Sequence, residues 1–282
     1  MSSIFEGFLS TPEVLDAFGD RSFLQAMLDF EAALARAQAR AGLIPEAAAS
    51  AIAAGCKVEL LDTAAIVRDS ALAGTLAVPL TKSLKDIVGR SSKEAAAFVH
   101  FGSTSQDVID TALVLVTRRA LRLIEADVRQ AATALLALAQ QHAAAPVLAR
   151  TLMQPASVTS FGLKCAGWAA PLVRSLQRME AAAGRALRVQ LGGAVGTLAQ
   201  MKGRGPQVVA FIAEELDLRA PEAAWHTQRD EWLALGCELG LLVGSLGNIA
   251  KRDVCRFHLP QVNINLYFWF QCANNIHSCN LF

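Results

Sequence analysis

The sequence predicts an all-α protein, with a small N-terminal helical domain followed by a bundle of long helices. Two observations carry this reading. The chain is rich in alanine, 53% hydrophobic and only 6% aromatic, which favours closely approaching helices over a β-sandwich. Three long stretches also repeat apolar or small residues at steps of three and four, the spacing of one helix face. No stretch alternates as a half-buried strand would.

The elements follow in order. Residues 12–55 read as helical, strongest from Arg21 to Ala41, with Gly42 as a stop. LDTAAIVRDSALAG and PLTKSLKDIVG add shorter helices, broken at Gly74, Pro79 and Gly89. Residues 1–97 thus form the small domain. The first long stripe runs through Ile109, Leu113, Val116, Ala120, Ile124, Val128, Ala131, Leu135 and Leu138. The second runs through Phe161, Cys165, Trp168, Leu172, Leu176, Met179, Ala183 and Leu187, with Pro171 expected to bend it. The third runs through Trp232, Leu235, Leu239, Leu242, Leu246 and Ile249. Each stretch is roughly 30–50 Å long at 1.5 Å per residue. Helices of that length need partners throughout, and a bundle completed between subunits supplies them. Residues 98–254 form this partial bundle.

At about residue 255 the chain changes character. Residues 255–282 hold five of the six asparagines, three of the six cysteines and the only tyrosine. Such a tail reads like a sequence translated in another frame, or a foreign exon. Cys255, His258, Cys272, His277 and Cys279 match no common zinc spacing, so no metal is expected.

The net charge is +1, and the absence of any long basic or acidic block excludes nucleic acid as a natural partner. The start, MSSIFEGFLSTPE, has Glu6 and Glu13 and no cationic region, unlike a signal peptide. No run of about 18 uncharged apolar residues reads as a membrane span. Six cysteines without a CxxC pair suit the reduced thiols of a cytoplasmic protein.

Residues 100–115 read HFGSTSQDVIDTALVL. Ser103, Thr104, Ser105 and Gln106 cluster where a helix begins. Thr104 and Asp107 have the spacing of a capping box. Capping alone needs only one or two such residues. Hydroxyls over a helix N-terminus also make a carboxylate site, because the free N–H groups and the dipole favour an anion. A second polar cluster, ARTLMQPASVTSFG (149–162), brings Arg150, Thr151, Gln154, Ser157, Thr159 and Ser160 to the start of the second long helix, as a loop plus N-cap or as part of a site. A third element, QLGGAVGT (190–197), reads as a glycine C-cap of that helix.

HFGSTSQDVIDTA, ARTxxQPAxVTSFGLK, GGAVGT and the TQRD of PEAAWHTQRDEW resemble, in that order, the fumarase/aspartase superfamily over about residues 5–254. Within it they are most similar to the branch that cycloisomerises 3-carboxy-cis,cis-muconate in aromatic-acid catabolism. Adenylosuccinate lyase is the nearest rival. Lyases carry a histidine after the RT of the second motif, where this chain has Leu152. The early His-Asp of adenylosuccinate lyases falls near Thr75–Leu76, with no histidine. An apolar residue at Leu152 suits the cycloisomerase branch. The superfamily's third signature, resembling GSS-x-MP-x-K-x-NP, does not occur. The resemblance therefore assigns no catalytic serine, and a bundle incomplete at its C-terminus, impaired in activity, is expected. A third reading is a non-catalytic helical remnant that only oligomerises.

The resemblance implies lactonisation of a polycarboxylate by a homo-oligomer, a tetramer in full-length relatives, with no metal or organic cofactor. It implies that Ser103, Thr104 and Ser105, with Gln106, hold a carboxylate. Thr151 and Gln154 would offer donors from another subunit, and Arg150 and Arg229 positive charge. Arg229 could instead pair with Asp230 or Glu231. His100 could orient the elbow or make a structural hydrogen bond. His142 reads as a helix-dipole partner, and Lys164 as reaching to solvent.

Overall fold

The computed structural model describes residues 10–152 and 154–253. Residues 255–282, with their change of composition, lie outside the described residues. The fold is mainly helical, as the stripes require. Helices α1 (Pro12–Ala17), α2 (Asp20–Arg40), α3 (Glu46–Gly55), α4 (Thr63–Ala73), α5 (Ala77–Ser91) and α6 (Lys93–Ala96) come first. The long α7 (Ser105–Gln141) follows, then strands β1 (Pro146–Thr151) and β2 (Gln154–Ser160), and helices α8 (Phe161–Ala186), α9 (Gly205–Glu215) and α10 (Asp230–Asp253).

Local signals explain many boundaries. Gly42 adopts φ +69° after α2, and Gly74 adopts φ +69° after α4, the left-handed turn at which helices end. Asp62 caps α4 by accepting the Ala65 N–H at 2.9 Å, and Ser92 caps α6 through the Ala95 N–H at 3.1 Å. Pro79 and Gly89, expected as breaks, lie inside α5. Pro79 is in the first turn, where a missing N–H costs no helical bond. Gly89 is tolerated because Leu80, Leu84 and Val88 bury one face.

Two compact units result. One takes Asp16–Ala120 and Arg185–Glu231; the other takes Leu121–Gly184, the chain from Trp232 onward and the stretch before Asp16. In the first unit, α2 is the central element. It buries Leu24, Met27, Leu28, Phe30 and Leu34 against Ile52, Leu80, Leu84, Val108, Val208 and Ile212. Helix α9, which carries no long stripe, docks on α2, where Arg40 pairs with Glu214 at 2.7 Å and covers the Phe211 ring at 3.9 Å. In the second unit the three stripes meet: Val128, Ala131 and Leu135 pack with Ala169, Leu172 and Met179, and with Leu242, Leu246 and Ile249. By length and composition alone, Asp230–Ala250 with mean hydropathy 1.6 would reach across a bilayer; here Leu235, Leu242, Leu246 and Ile249 are buried in the protein while Leu233 and Leu241 stay exposed.

The expectation of no strand is corrected. β1 and β2 form an antiparallel hairpin, with Pro146 opposite Ser160 and Thr151 opposite Gln154, and an irregularity between Leu148 and Arg150. Most of its side chains are exposed, so no apolar face imposes the alternation by which a strand is read. Ser160 nonetheless caps α8, its hydroxyl accepting the Leu163 N–H at 3.1 Å. The expected C-cap at QLGGAVGT is also corrected: α8 ends at Ala186, before the glycines begin.

The start of α8 packs tightly on the end of α7. A Cβ on Gly162 would lie 2.4 Å from the Ala139 carbonyl oxygen and 2.7 Å from the Ala143 Cα. Gly162→Ala is therefore expected to destabilise the chain by about 1–3 kcal/mol in urea unfolding. Gly184→Ala, on the same helix with open space around it, should raise stability by about 0.5–1 kcal/mol.

Candidate functional site

The polar elbow forms where α7 begins. His100 (φ +61°) and Gly102 (φ +69°) are both left-handed, and they fold the chain back so that Ser103 and Thr104 precede the first helical residue, Ser105. The Ser103 N–H donates to the His100 carbonyl at 3.3 Å. Ser103, Thr104 and Ser105 are half-buried and Gln106 is exposed.

In the first turn of the helix stands Asp107, fully buried. Its Oδ1 accepts from the Gly192 N–H at 2.9 Å, His226 Nε2 at 2.8 Å and Gln190 Nε2 at 3.3 Å. Its Oδ2 accepts from the Gly193 N–H at 2.9 Å, the Thr104 N–H at 3.0 Å and the Ser103 hydroxyl at 3.4 Å. The carboxylate half of the capping box is thus present, as one of six contacts. A carboxylate can only accept, so His226 Nε2 carries a proton in this pair.

Two further residues continue this face of α7, at the i+3 and i+4 positions. Asp110, buried, receives Arg229 at 2.6 Å. The Thr111 hydroxyl donates to the Gln190 carbonyl at 3.1 Å and accepts the Gln190 N–H at 3.0 Å. Gln190 passes the connection on, its Oε1 accepting the Trp225 N–H at 2.8 Å, while the Trp225 indole donates to the Val189 carbonyl at 3.0 Å. GSTSQD, QLGG and WHTQRD are therefore one hydrogen-bonded assembly within one unit.

The glycines of QLGGAVGT have a different task from capping. Gly192 must bring its N–H to Asp107 while its α-carbon faces Ala224 and His226; an added Cβ would lie 2.8 Å from Ala224 Cβ and 2.9 Å from His226 Cε1. Gly193 sits at φ +71° beside the Gly102 carbonyl, a conformation that costs other residues energy.

The remaining site residues fall as follows. Arg229 pairs with Asp110, and not with Asp230 or Glu231; Glu231 receives Arg185 at 2.8 Å. Its guanidinium also lies 5.2 Å from the Trp225 ring centre. His100 Nδ1 donates to Glu31 Oε1 at 2.5 Å, the structural hydrogen bond of the two readings. Burial works against the charged form of His100, but the charge and hydrogen bond of Glu31, aided by Asp107 and opposed by Lys85, raise its pKa above the ordinary value. Arg150, Thr151 and Gln154 stand on the hairpin in the other unit, all exposed. Leu152 is at the hairpin tip, φ +49° and 93% exposed. Lys164 lies 5.2 Å from the Trp168 ring centre, and His142 meets Phe161 edge-on at 5.5 Å. The sequence reading missed Asp110, Gln190 and the full role of Asp107. The D-x-x-D-T spacing within QDVIDT, which puts three polar side chains on one helix face, was the signal that could have found them.

Comparison with known proteins gives the family. A family model described as "Lyase" matches residues 8–259. The 3-carboxy-cis,cis-muconate cycloisomerase of Pseudomonas aeruginosa is 44% identical over 253 residues, 90% of this chain and 55% of its own length. The nitrosuccinate lyase of Streptomyces davaonensis is 42% identical over 242 residues, 83% of this chain and 51% of its own. Among solved structures, the 3-carboxy-cis,cis-muconate lactonizing enzyme from Pseudomonas putida superposes with TM-score 0.86 at 44% identity, covering 89% of this chain and 56% of that one. The chain thus spans about half the length of the relatives it matches.

Asp107→Asn places an amide N–H₂ among six donors. It should cost about 3 kcal/mol or more in urea unfolding. Gly192→Ala should lose a comparable amount by displacing the loop. A loss under about 1 kcal/mol for both would contradict the central role given to this carboxylate.

Proposed function

The chain belongs to the lyase family, within the fumarase/aspartase superfamily, and from that membership we propose that it is part of an enzyme that lactonises 3-carboxy-cis,cis-muconate. The observation that carries the reading is the elbow: hydroxyls at the N-terminus of a 37-residue helix, fixed from behind by a buried carboxylate. The first backbone N–H groups of α7 and the hydroxyls of Ser103, Thr104 and Ser105 suit a substrate carboxylate. Gln106, exposed beside them, can donate from its amide. Arg150, Thr151 and Gln154, exposed on the hairpin, are available to a second subunit of a cytoplasmic homo-oligomer. Arg229 is partly neutralised by Asp110, so its contribution is to hold the WHTQRD segment as much as to attract an anion.

In the forward reaction a carboxylate oxygen bonds to a carbon of the diene. The displaced electron pair moves onto a conjugated carboxylate, giving an enolate-like intermediate, and a proton is then delivered to carbon. In reverse this is β-elimination. Preorganised donors around the second carboxylate lower the barrier because charge accumulates there in the transition state.

The resemblance to a nitrosuccinate lyase supports a second reading, β-elimination from a substituted succinate, which needs the same carboxylate donors. Incubating the whole enzyme, of which this chain is part, with each substrate separates the two. Lactonisation removes the ultraviolet absorbance of the muconate; elimination from nitrosuccinate releases nitrite. Nitrite release without muconate turnover would overturn the first reading.

Two outcomes are expected. Ser105→Ala should weaken polycarboxylate use by about tenfold, about 1.4 kcal/mol, with stability changed by less than about 1 kcal/mol. Leu148, Val158, Leu163, Leu233 and Leu241 are exposed apolar residues of one unit; they should drive self-association at micromolar concentration, seen by sedimentation. A monomer there would contradict the homo-oligomer.

A further inference from the structure

Helix α2 lies outside every motif that carries the family resemblance, yet it bonds to the elbow at two successive residues, the His100 ring and the Phe101 carbonyl. Glu31 Oε1 takes the His100 ring N–H at 2.5 Å, and Gln38 Nε2 donates to the Phe101 carbonyl at 2.6 Å. Glu31 and Gln38 are seven residues apart, two turns along one helix face. Both are fully buried. His100 is not glycine, yet it adopts φ +61°, a conformation that persists where surrounding contacts over-determine it. Three residues later stands Ser103, whose N–H bonds back to the His100 carbonyl.

We infer that Glu31 is a positioning residue for the carboxylate-binding elbow, fixing through the His100 imidazole the left-handed turn that presents Ser103, Thr104 and Ser105; the inference deepens the polycarboxylate reading and rests on it. Glu31 Oε2 has no hydrogen-bond partner among the described residues, so His100 is the contact that compensates this buried carboxylate. The charged groups acting on His100 come from three helices: Glu31 on α2, Asp107 on α7 and Lys85 on α5. Burial favours the neutral ring, while the two carboxylates outweigh burial and Lys85. Because the folded pKa is raised, the pair contributes fully below the unfolded value of about 6.5 and loses its contribution as pH rises through the folded pKa. The elbow should therefore loosen on the alkaline side.

The test follows the His100 ring, the Ser103 and Thr104 amides by NMR, and the Kd of tricarballylate, all against pH, in the chain and in Glu31→Gln. Gln keeps an acceptor for the ring N–H and removes the charge. In the wild type the two elbow amides should titrate with the His100 ring, and Kd should rise as that transition is passed. In Glu31→Gln the ring midpoint should fall, because the charge that raises it is gone, and the Kd profile should move with it. His100→Asn, which tolerates the left-handed backbone, should bind with little pH dependence and decides the matter if Glu31→Gln does not fold. Elbow amides indifferent to the His100 titration, or a Kd profile identical in wild type and variants, overturn the inference. Coupled ring and amide titrations without tricarballylate binding at any pH support the positioning role and overturn the polycarboxylate reading.

Discussion

The structure of this site depends on the burial of one negative charge. The Asp107 carboxylate is withdrawn from water and surrounded by donors from three separated stretches of chain: Ser103 and Thr104 beside it, Gln190, Gly192 and Gly193 beyond α8, and His226 further on. Moving a carboxylate out of water costs several kcal/mol even after relaxation. Hydrogen bonds to a charged group return about 1.5–3 kcal/mol each. One or two would leave the burial unfavourable; the several well-formed bonds here offset it. Losing any one donor removes about 1.5–3 kcal/mol of that compensation, so each of the three stretches contributes to holding the carboxylate buried.

Sequence features that look unrelated follow from this constraint. Two adjacent glycines are needed because the chain must turn both N–H groups to the same carboxylate while its α-carbons pass Ala224, His226 and the Gly102 carbonyl. Thr111 and Gln190 exchange two bonds so that the glycine loop meets α7 in one register. Arg229 closes the far side on Asp110. The elbow is thereby held from within by Asp107–His226 and from α2 by Glu31–His100, two fully buried carboxylates each facing an imidazole. A rigid elbow of this kind suits a site that must hold donors where charge develops, since donors already in place need no reorganisation during reaction. The hairpin is built oppositely: its side chains are exposed and Leu152 projects from its tip, so it offers groups outward.

The sequence by itself determined the helical class, because the three-four stripes at 109–138, 161–187 and 232–249 allow one buried face and no alternation. It also placed the start of α7 within the Ser103–Gln106 cluster, because Ser, Thr and Asp at that spacing satisfy backbone donors locally. It marked GSTSQD as a polar cluster and QLGGAVGT as a glycine-rich element, while WHTQRD stood out only through the family resemblance. Tertiary structure decided what those segments do. Whether glycines end a helix or feed a carboxylate depends on what lies 85 residues away, as between Asp107 and Gly192, and no local pattern encodes that. The partner of Arg229 was decided the same way: two acids stand next to it in sequence, but Asp110 is buried and needs compensation more. The hairpin was settled by backbone pairing alone, with no buried face to mark it. Propensity, capping and periodicity act over a few residues and are written in the chain; the compensation of buried charge acts across the fold and exists only once the fold has formed.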